Sequence, residues 1–156
     1  MLMNLTDKEL IEYSKEHLYY EIWMLIEISK IKNISEQFFI NITVESFAIH
    51  LRNLIIFLYP NKNSTKLTDV YAKDFFSDPQ RWKTILPSLP QTLENARIRA
   101  NKEVGHLTAE RIAGTKDPKK SWKTKELTDE IIPILKLFCF EADKNKLDKS
   151  VSKLLS

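Results

Sequence analysis

The sequence of 156 residues contains only two glycines, Gly105 and Gly114. Walker-type phosphate loops, dinucleotide-binding fingerprints and turn-rich β-sandwiches each require several glycines, because their backbones adopt positive φ angles or approach a phosphate too closely for a side chain. The shortage of glycine therefore argues against all three classes of protein.

Cysteine and histidine are almost as scarce, which limits the metal and redox chemistry open to the chain. The one cysteine, Cys139, excludes an intramolecular disulfide and a multi-cysteine zinc site. It lies in the apolar segment 134–140, so we expect an inert buried thiol. The histidines are His17, His50 and His106, and the single Glu-x-x-His sequence lacks the second copy that di-iron bundles need. We expect no metal and no cofactor; a site made of all three histidines is the one metal alternative left open.

Long apolar runs and targeting signals are also missing. No apolar segment is expected to approach the length of roughly 20 residues that a bilayer span requires. Residues 1–7 lack the basic start and the small-residue cleavage site of a signal peptide. We therefore expect a cytoplasmic protein with a reduced thiol and no membrane partner.

The net charge of +3 is unevenly distributed along the chain. Residues 97–125 contain nine cations and three anions, an excess of six positive charges, so the rest of the chain carries a net charge of −3. Such an asymmetry indicates an anionic partner for the basic segment.

Helical patterns dominate the sequence and predict an all-α bundle of four to five helices. Thr6 and Glu9 form a capping box that starts a helix continuing to about Lys30. A second helix is expected over 35–59, where Pro60 stops it, and the connection 60–90 is expected to contain a short helix over 69–76. A third long helix over 89–112 ends before Gly114. A basic loop over 115–125 follows, and a last helix, bent by Pro133, begins at about Thr128. We expect one domain over 1–143, followed by a polar tail or short helix over 144–156.

The second predicted helix has two apolar faces. Its core face is expected to contain Ile40, Val44, Phe47, Ala48, Leu51, Leu54, Ile55 and Leu58. A separate apolar stripe, hereafter the α3 stripe, consists of Phe38, Ile42, Ile49 and Ile56. Such a helix is either central in its own bundle or shared with a second copy of the chain, and we expect a homodimer. Two polar lines separate the faces: Asn41, Glu45 and Arg52 on one side, and Ser46, His50 and Asn53 on the other.

The first predicted helix places His17 and Glu21 in the middle of its apolar face, four residues apart. They can form a buried pair with each other, in which Glu21 accepts a hydrogen bond from His17. Alternatively, they belong to a polar site between helices. The sequence leaves both interpretations open.

The third predicted helix carries the residues best suited to chemistry. Its apolar core stripe consists of Leu89, Leu93, Ala96, Ala100, Val104 and Leu107. Arg99, Lys102 and His106 share one flank of this stripe, and Asn101 lies on its other edge. Arg99 and His106 differ by about 20° around the axis and about 10.5 Å along it. The structural alternative is that Arg99 pairs with Glu103 and His106 with Glu110, each four residues along the helix.

The segment 99–106 resembles the R-x(4–6)-H motif of the HEPN (higher eukaryotes and prokaryotes nucleotide-binding) superfamily, with six residues between Arg99 and His106. Segments 45–59, 69–76 and 101–108 are also similar to segments of uncharacterised bacterial HEPN-like proteins. Together the similarity covers about residues 35–112. The resemblance implies a helical bundle that dimerises with its motif helices facing each other.

The same resemblance implies a metal-independent endoribonuclease, used as a toxin with a neutralising partner protein or in antiviral defence. His106 would act as general acid or base on a ribose 2′-OH, and Arg99 would bind the phosphate. Active members usually carry Asn, Asp or His directly after the arginine, whereas here Ala100 follows Arg99 and the asparagine comes at position 101. The alternatives are therefore an inactive HEPN-like module that binds RNA, a nucleotide or a partner protein, and a purely structural helical dimer. Arg52 and Asn53 form a second arginine–polar pair with no histidine following in reach.

The basic loop 115–125 contains five lysines around Trp122. An exposed aromatic ring among lysines suits single-stranded RNA, because a base stacks on the ring while the lysines neutralise phosphates. The expected contacts are Lys119, Lys120, Trp122 and Lys123. Alternatively, Trp122 anchors the loop to the bundle and the lysines remain solvated.

Overall fold

The computed structural model describes residues 5–60, 68–104 and 122–156, and within these ranges every regular element is helical and no strand occurs. The all-α bundle predicted from the sequence is confirmed. The elements are α1 (Asp7–Tyr13), a π-helical segment (Ser14–Leu18), α2 (Tyr19–Lys30), α3 (Gln37–Leu58), a 3-10 turn (Ala72–Phe75), α4 (Pro79–Ile85), α5 (Gln91–Glu103), α6 (Thr124–Glu141) and α7 (Lys149–Leu154).

The first predicted helix is present, interrupted by the π-helical segment. The capping box is formed as expected: the Thr6 amide donates to Glu9 Oε2 at 2.7 Å, and the Glu9 amide donates to Thr6 Oγ1 at 3.3 Å. The π-helical segment was not predicted. Its Ser14 hydroxyl is buried, donates to the carbonyl of Ile11 and accepts from the backbone amide of Asp148 at 2.9 Å. The C-terminal segment of the chain therefore docks on this irregular turn.

Helix α3 is the central element and packs against α2, α5 and α6. It ends at Leu58, so the stop predicted from Pro60 is confirmed. Most of the predicted core face is buried: Phe47, Ala48, Leu51, Leu54, Ile55 and Leu58 are each at most 1% exposed. Ile40 and Val44 lie near the N-terminus of α3 and are only half-buried.

The connection between α3 and α5 contributes more to the core than predicted. Helix α4 was not expected, although Asp78 caps it by accepting from the Gln80 amide and Pro79 occupies its first turn. The indole of Trp82 is buried and donates to the carbonyl of Leu58 at 3.1 Å. Phe57, Phe75, Phe76, Trp82 and Phe138 form one cluster of ring contacts at this end of the bundle.

The C-terminal part of the chain also packs against the bundle. Helix α6 begins at Thr124, four residues before the predicted start, and Pro133 lies inside it. Cys139 is buried as expected, and burial raises the pKa of its thiol to about 11. Beyond α6, Val151 and Leu155 are buried in the core, so α7 closes the bundle over α2 and the π-helical segment.

The α3 stripe is largely exposed. Phe38, Ile42 and Ile49 are 68%, 47% and 44% exposed, and Ile56 is half-buried. Helix α3 is also long and apolar enough to cross a membrane by length and mean hydropathy. The sequence analysis expected no segment that could span a membrane. Helix α3 differs from that expectation because its mean hydropathy is high, although polar residues interrupt its apolar residues. The core helix of a soluble protein passes the same test, and the inner face of α3 is packed within the bundle.

Candidate interhelical polar site

A polar cluster connects α2, α3 and α5 inside the bundle. The carboxylate of Glu21, on α2, lies 2.8 Å from Nδ1 of His50, on α3. The side-chain amide of Asn53 donates to both oxygens of the same carboxylate at 3.3 Å. His50 is 7% exposed, so Glu21 supplies the partner that a buried imidazole needs.

Of the two interpretations left open for His17 and Glu21, the pair between these two residues is wrong. His17 is exposed, and its ring lies against Tyr13 with a centroid separation of 5.1 Å. His17 belongs to the π-helical segment, which widens the turn and shifts the register of the residues before it relative to those after it. The alternative interpretation, a polar site between helices, describes Glu21, with His50 as its partner.

The second half of the cluster joins α3 to α5. Arg52 donates through Nε to the side-chain oxygen of Asn101, and its Nη1 lies 3.5 Å from the side-chain oxygen of Asn53. The structure therefore brings together four of the predicted supporting residues, His50, Arg52, Asn53 and Asn101. Lys102, the fifth, is exposed on α5.

Arg52 differs from the other arginines in the described ranges. Arg81, Arg97 and Arg99 each form an ion pair, with Glu141, Glu94 and Glu103 respectively. Among the described residues, no carboxylate lies within 4 Å of Arg52, and the groups that hold it are the neutral amides of Asn53 and Asn101. Its positive charge is therefore oriented but not neutralised by a direct partner.

The cluster opens into a pocket of about 370 Å³. Its lining includes Glu21, Arg52 and Asn53 from the cluster, together with Tyr13, Asp69 and Tyr71. Burial, followed by the negative charges of Glu21 and Asp69, raises the pKa of the Tyr13 hydroxyl above its usual value of 10.0. The pocket thus combines one arginine, two carboxylates and three aromatic side chains, since Phe57 also lines it.

Arg99 lies in a different environment, between α5 and α6. Its Nε donates to Glu103 at 2.7 Å, the i,i+4 pair that the structural alternative predicted. Its guanidinium carbon lies 4.5 Å from the centroid of the Trp122 ring. The Arg99 side chain is 27% exposed, so it remains accessible at the surface.

Trp122 does not have the exposure that stacking with an RNA base requires. The residue is 8% exposed, and its ring meets that of Phe47 edge-to-face at a centroid separation of 6.2 Å. The alternative interpretation, in which Trp122 anchors the loop to the bundle, agrees with this placement. A large apolar ring gains more free energy in the core than on the surface, and here the core of α3 is directly adjacent.

The surface beside Arg99 is a groove of about 870 Å³ between α5 and α6. The charged residues that line it within the described ranges are Arg99, Lys123, Glu126, Asp129 and Glu130, of which three are acidic and two are basic. Lys123 is exposed as predicted, yet its ammonium pairs with Glu126 at 2.9 Å. The described part of the groove lining is therefore more acidic than basic.

Several predicted site residues lie outside the described ranges: His106, Lys119 and Lys120. Within 5–60, 68–104 and 122–156, no group of three His, Cys, Asp or Glu side chains is placed to hold a metal ion.

Sequence reasoning missed the link between Glu21 and His50 and the contribution of Tyr13 and Asp69 to the pocket. One signal was present: a polar line on α3 and an isolated glutamate on an apolar face of the preceding helix each needed a partner. Periodicity identifies such faces but does not identify the residue across the interface.

No protein-family model, no curated protein and no solved structure matches this chain, so the resemblance to HEPN proteins stays an interpretation of its sequence motifs.

Proposed function

We propose that this chain is an HEPN-like protein that cleaves RNA as a homodimer without a metal ion. Arg99 would stabilise the phosphate, and His106 would transfer the proton of the ribose 2′-OH. The observation that carries the proposal is the orientation of Arg99, a motif residue whose guanidinium is held between Glu103 and the Trp122 ring.

This orientation suits phosphate binding for a physical reason. Stacking on Trp122 engages the face of the guanidinium, whereas phosphate oxygens bind at its N–H edge. An arginine that is already positioned loses little conformational entropy when a phosphate arrives. The side chain is also partly accessible, as a substrate-binding group must be.

The homodimer is supported by the exposed α3 stripe. Several large apolar side chains on one helix face are costly to leave in water, and a second copy of the same face would cover them. Ile49→Glu should turn a dimer into a monomer in sedimentation experiments at micromolar concentration. Phe140→Glu is the matched control, because Phe140 is 77% exposed on α6, outside the stripe. A wild-type monomer would contradict the dimer.

The ribonuclease proposal is tested by cleavage of a labelled RNA in the presence of EDTA. His106→Ala should lower the rate by about 10²–10⁴-fold, the usual contribution of a general acid or base. Arg99→Ala should lower it by about 10²-fold, and Arg99→Lys should not restore it, because lysine lacks the planar fork.

Arg97→Ala is the control for these variants. It removes an ion-paired arginine from the same helix, two residues before Arg99, and should leave cleavage unchanged. Cleavage that stops in EDTA, or that survives in His106→Ala, would show that the mechanism is wrong.

A non-catalytic HEPN-like module that binds RNA, a nucleotide or a partner protein is the second candidate. It is favoured by the charges around Arg99: Glu103 pairs with the guanidinium, and among the described residues of the adjacent groove three side chains are acidic and two are basic. Under this alternative, neither the wild-type protein nor His106→Ala cleaves RNA, while both retain the same binding partner.

A further inference from the structure

We propose that the pocket that Arg52 lines, hereafter the Arg52 pocket, binds a free α-amino acid with an apolar side chain. The ligand carboxylate would lie on Arg52, and its ammonium group on Glu21 and Asp69. The ligand side chain would pack against Ile56 and Val70. The site uses none of the residues assigned to RNA cleavage, so it does not depend on the ribonuclease proposal.

The first argument is the charge of Arg52. This guanidinium is half-buried and, among the described residues, has no carboxylate partner, although folded proteins usually offset the desolvation cost with an ion pair. Its Nε donates to Asn101, and Nη1 lies 3.5 Å from the Asn53 oxygen. These contacts leave Nη2 and the second N–H of Nη1 for a ligand. The two terminal nitrogens of a guanidinium match the two oxygens of a carboxylate.

The second argument is that the Arg52 pocket carries charges of both signs. Glu21 and Asp69 line it together with Arg52. After burial, these two carboxylates are the causes that raise the pKa of the Tyr13 hydroxyl, so their negative charge acts inside the pocket. A simple anion would be repelled by the carboxylates and a simple cation by the arginine. A zwitterion has a favourable partner for each of its charges.

The third argument is the spacing of these charges, which the contacts of Asn53 indicate. Its side-chain oxygen faces Arg52 at 3.5 Å, and its nitrogen lies 3.3 Å from both carboxylate oxygens of Glu21. An α-amino acid would present its carboxylate and its ammonium group in the same order. Both contacts of Asn53 are longer than charge-assisted hydrogen bonds, which are about 2.7–2.9 Å. An α-amino acid spans the same gap with shorter contacts, because its oxygen and nitrogen are one bond further apart than those of an amide.

The fourth argument is the size and the apolar lining of the Arg52 pocket. Its volume of about 370 Å³ lies near the lower end of the range of about 300–1,000 Å³ that ligand pockets occupy, so a small ligand fits it best. Ile56 and Val70 line it and are only half-buried. An apolar ligand side chain would gain free energy by covering them, whereas a charged one would lose its hydration without gaining a partner.

The test measures the binding of leucine by calorimetry, beside three probes that each lack one of its features. Leucinamide lacks the carboxylate, N-acetylleucine lacks the ammonium group, and glycine lacks the apolar side chain. Leucine should bind at least about tenfold more tightly than each probe, because each loses a charged hydrogen bond or an apolar contact. N-acetylleucine also represents the C-terminus of a peptide, so its weaker binding would identify a free amino acid as the ligand.

Two variants test the contact with the ligand carboxylate. Arg52→Gln should weaken the binding of leucine by at least about tenfold, because a charged hydrogen-bond donor is removed. Asn101→Asp should weaken it similarly by pairing Arg52 with a carboxylate. This variant should keep the bundle folded, because it retains an oxygen that accepts from Nε. Arg81→Gln, which removes an arginine paired with Glu141, is the control and should bind leucine as the wild type does.

A third variant, Asp69→Asn, tests the contact with the ammonium group. Asp69 is exposed, so the variant should fold as the wild type does. It should weaken the binding of leucine by about three- to tenfold. It should not weaken that of N-acetylleucine, which has no ammonium group. Asp129→Asn, which removes a carboxylate paired with Lys125 on α6, is the control and should bind leucine normally.

The inference is overturned if the wild-type protein binds no leucine at about 10 mM, or if leucinamide or N-acetylleucine binds as tightly as leucine. A folded Asn101→Asp protein with wild-type affinity for leucine would overturn it too. Glycine that binds as tightly as leucine would overturn the assignment of the ligand side chain to Ile56 and Val70.

Discussion

Two arginines on different helices, Arg52 on α3 and Arg99 on α5, lie in opposite kinds of environment. Arg99 pairs with a carboxylate one turn along its own helix and stacks on a buried tryptophan. Arg52 is held by amide groups, one of them on another helix, and lines a pocket. A carboxylate both orients an arginine and cancels its charge, whereas an amide only orients it. The comparison teaches that the arginine in the recognisable motif need not be the one most available to an anion.

The largest expected effect on stability follows the removal of Trp122, the ring on which Arg99 stacks. Trp122→Ala should lower the free energy of unfolding by about 3 kcal/mol, because a buried ring is replaced by a cavity next to Phe47. Chemical denaturation measures the change.

Trp23→Ala is the matched control, since Trp23 is 40% exposed on α2 and should cost less than about 1 kcal/mol. Equal losses in the two variants would contradict the placement of Trp122 in the core.

The next prediction compares one carboxylate from each region: Glu21, in the polar cluster that includes Arg52, and Glu103, which pairs with Arg99. Glu21→Ala should destabilise the protein by about 2 kcal/mol, because it leaves the buried imidazole of His50 and the amide of Asn53 without their acceptor. Glu103→Ala should cost at most about 0.5 kcal/mol, since its pair with Arg99 is an i,i+4 pair near the surface. Both are measured by urea denaturation, and a larger loss for Glu103→Ala would reverse the comparison.

The smallest expected effect is a pH dependence in the Arg52 pocket. The pKa of Tyr13 is raised in the folded state, mainly by burial, so above about pH 10 the unfolded chain loses this proton more readily than the folded one. Fewer protons are then bound in the unfolded state, and stability falls as the pH rises. Tyr13→Phe should flatten this decline in thermal unfolding between about pH 9 and pH 11. An unchanged slope would show that Tyr13 does not titrate as its surroundings indicate.

Local features of the fold were predictable from the sequence. The capping box at Thr6, the end of α3 before Pro60 and the buried face of α3 all depend on residues within a few positions of one another. The short helix α4 was missed although its cap, Asp78 followed by Pro79, is also local. The prolines of segment 60–90 predict a connection there rather than a helix. Helix α4 is too short to be stable alone, and the burial of Trp82 against α3 stabilises it.

The polar site was predictable only in part. His50, Arg52 and Asn53 are indicated by the two polar lines of α3, and Asn101 by its position two residues after the motif arginine. Their pairing was not predictable. Of the two interpretations of Glu21, the pair with His17 is wrong because an unpredicted π-helical segment shifts the register of His17.

By itself, the sequence determined that this chain is helical, where α1 begins and α3 ends, and which face of α3 enters the core, because capping, proline and apolar periodicity act over one or two turns. Only the tertiary structure decided that Glu21 meets His50, that Arg52 meets Asn101 and that Trp122 is buried. The first two pairs join residues 29 and 49 positions apart, and such contacts depend on how whole helices pack rather than on any local pattern.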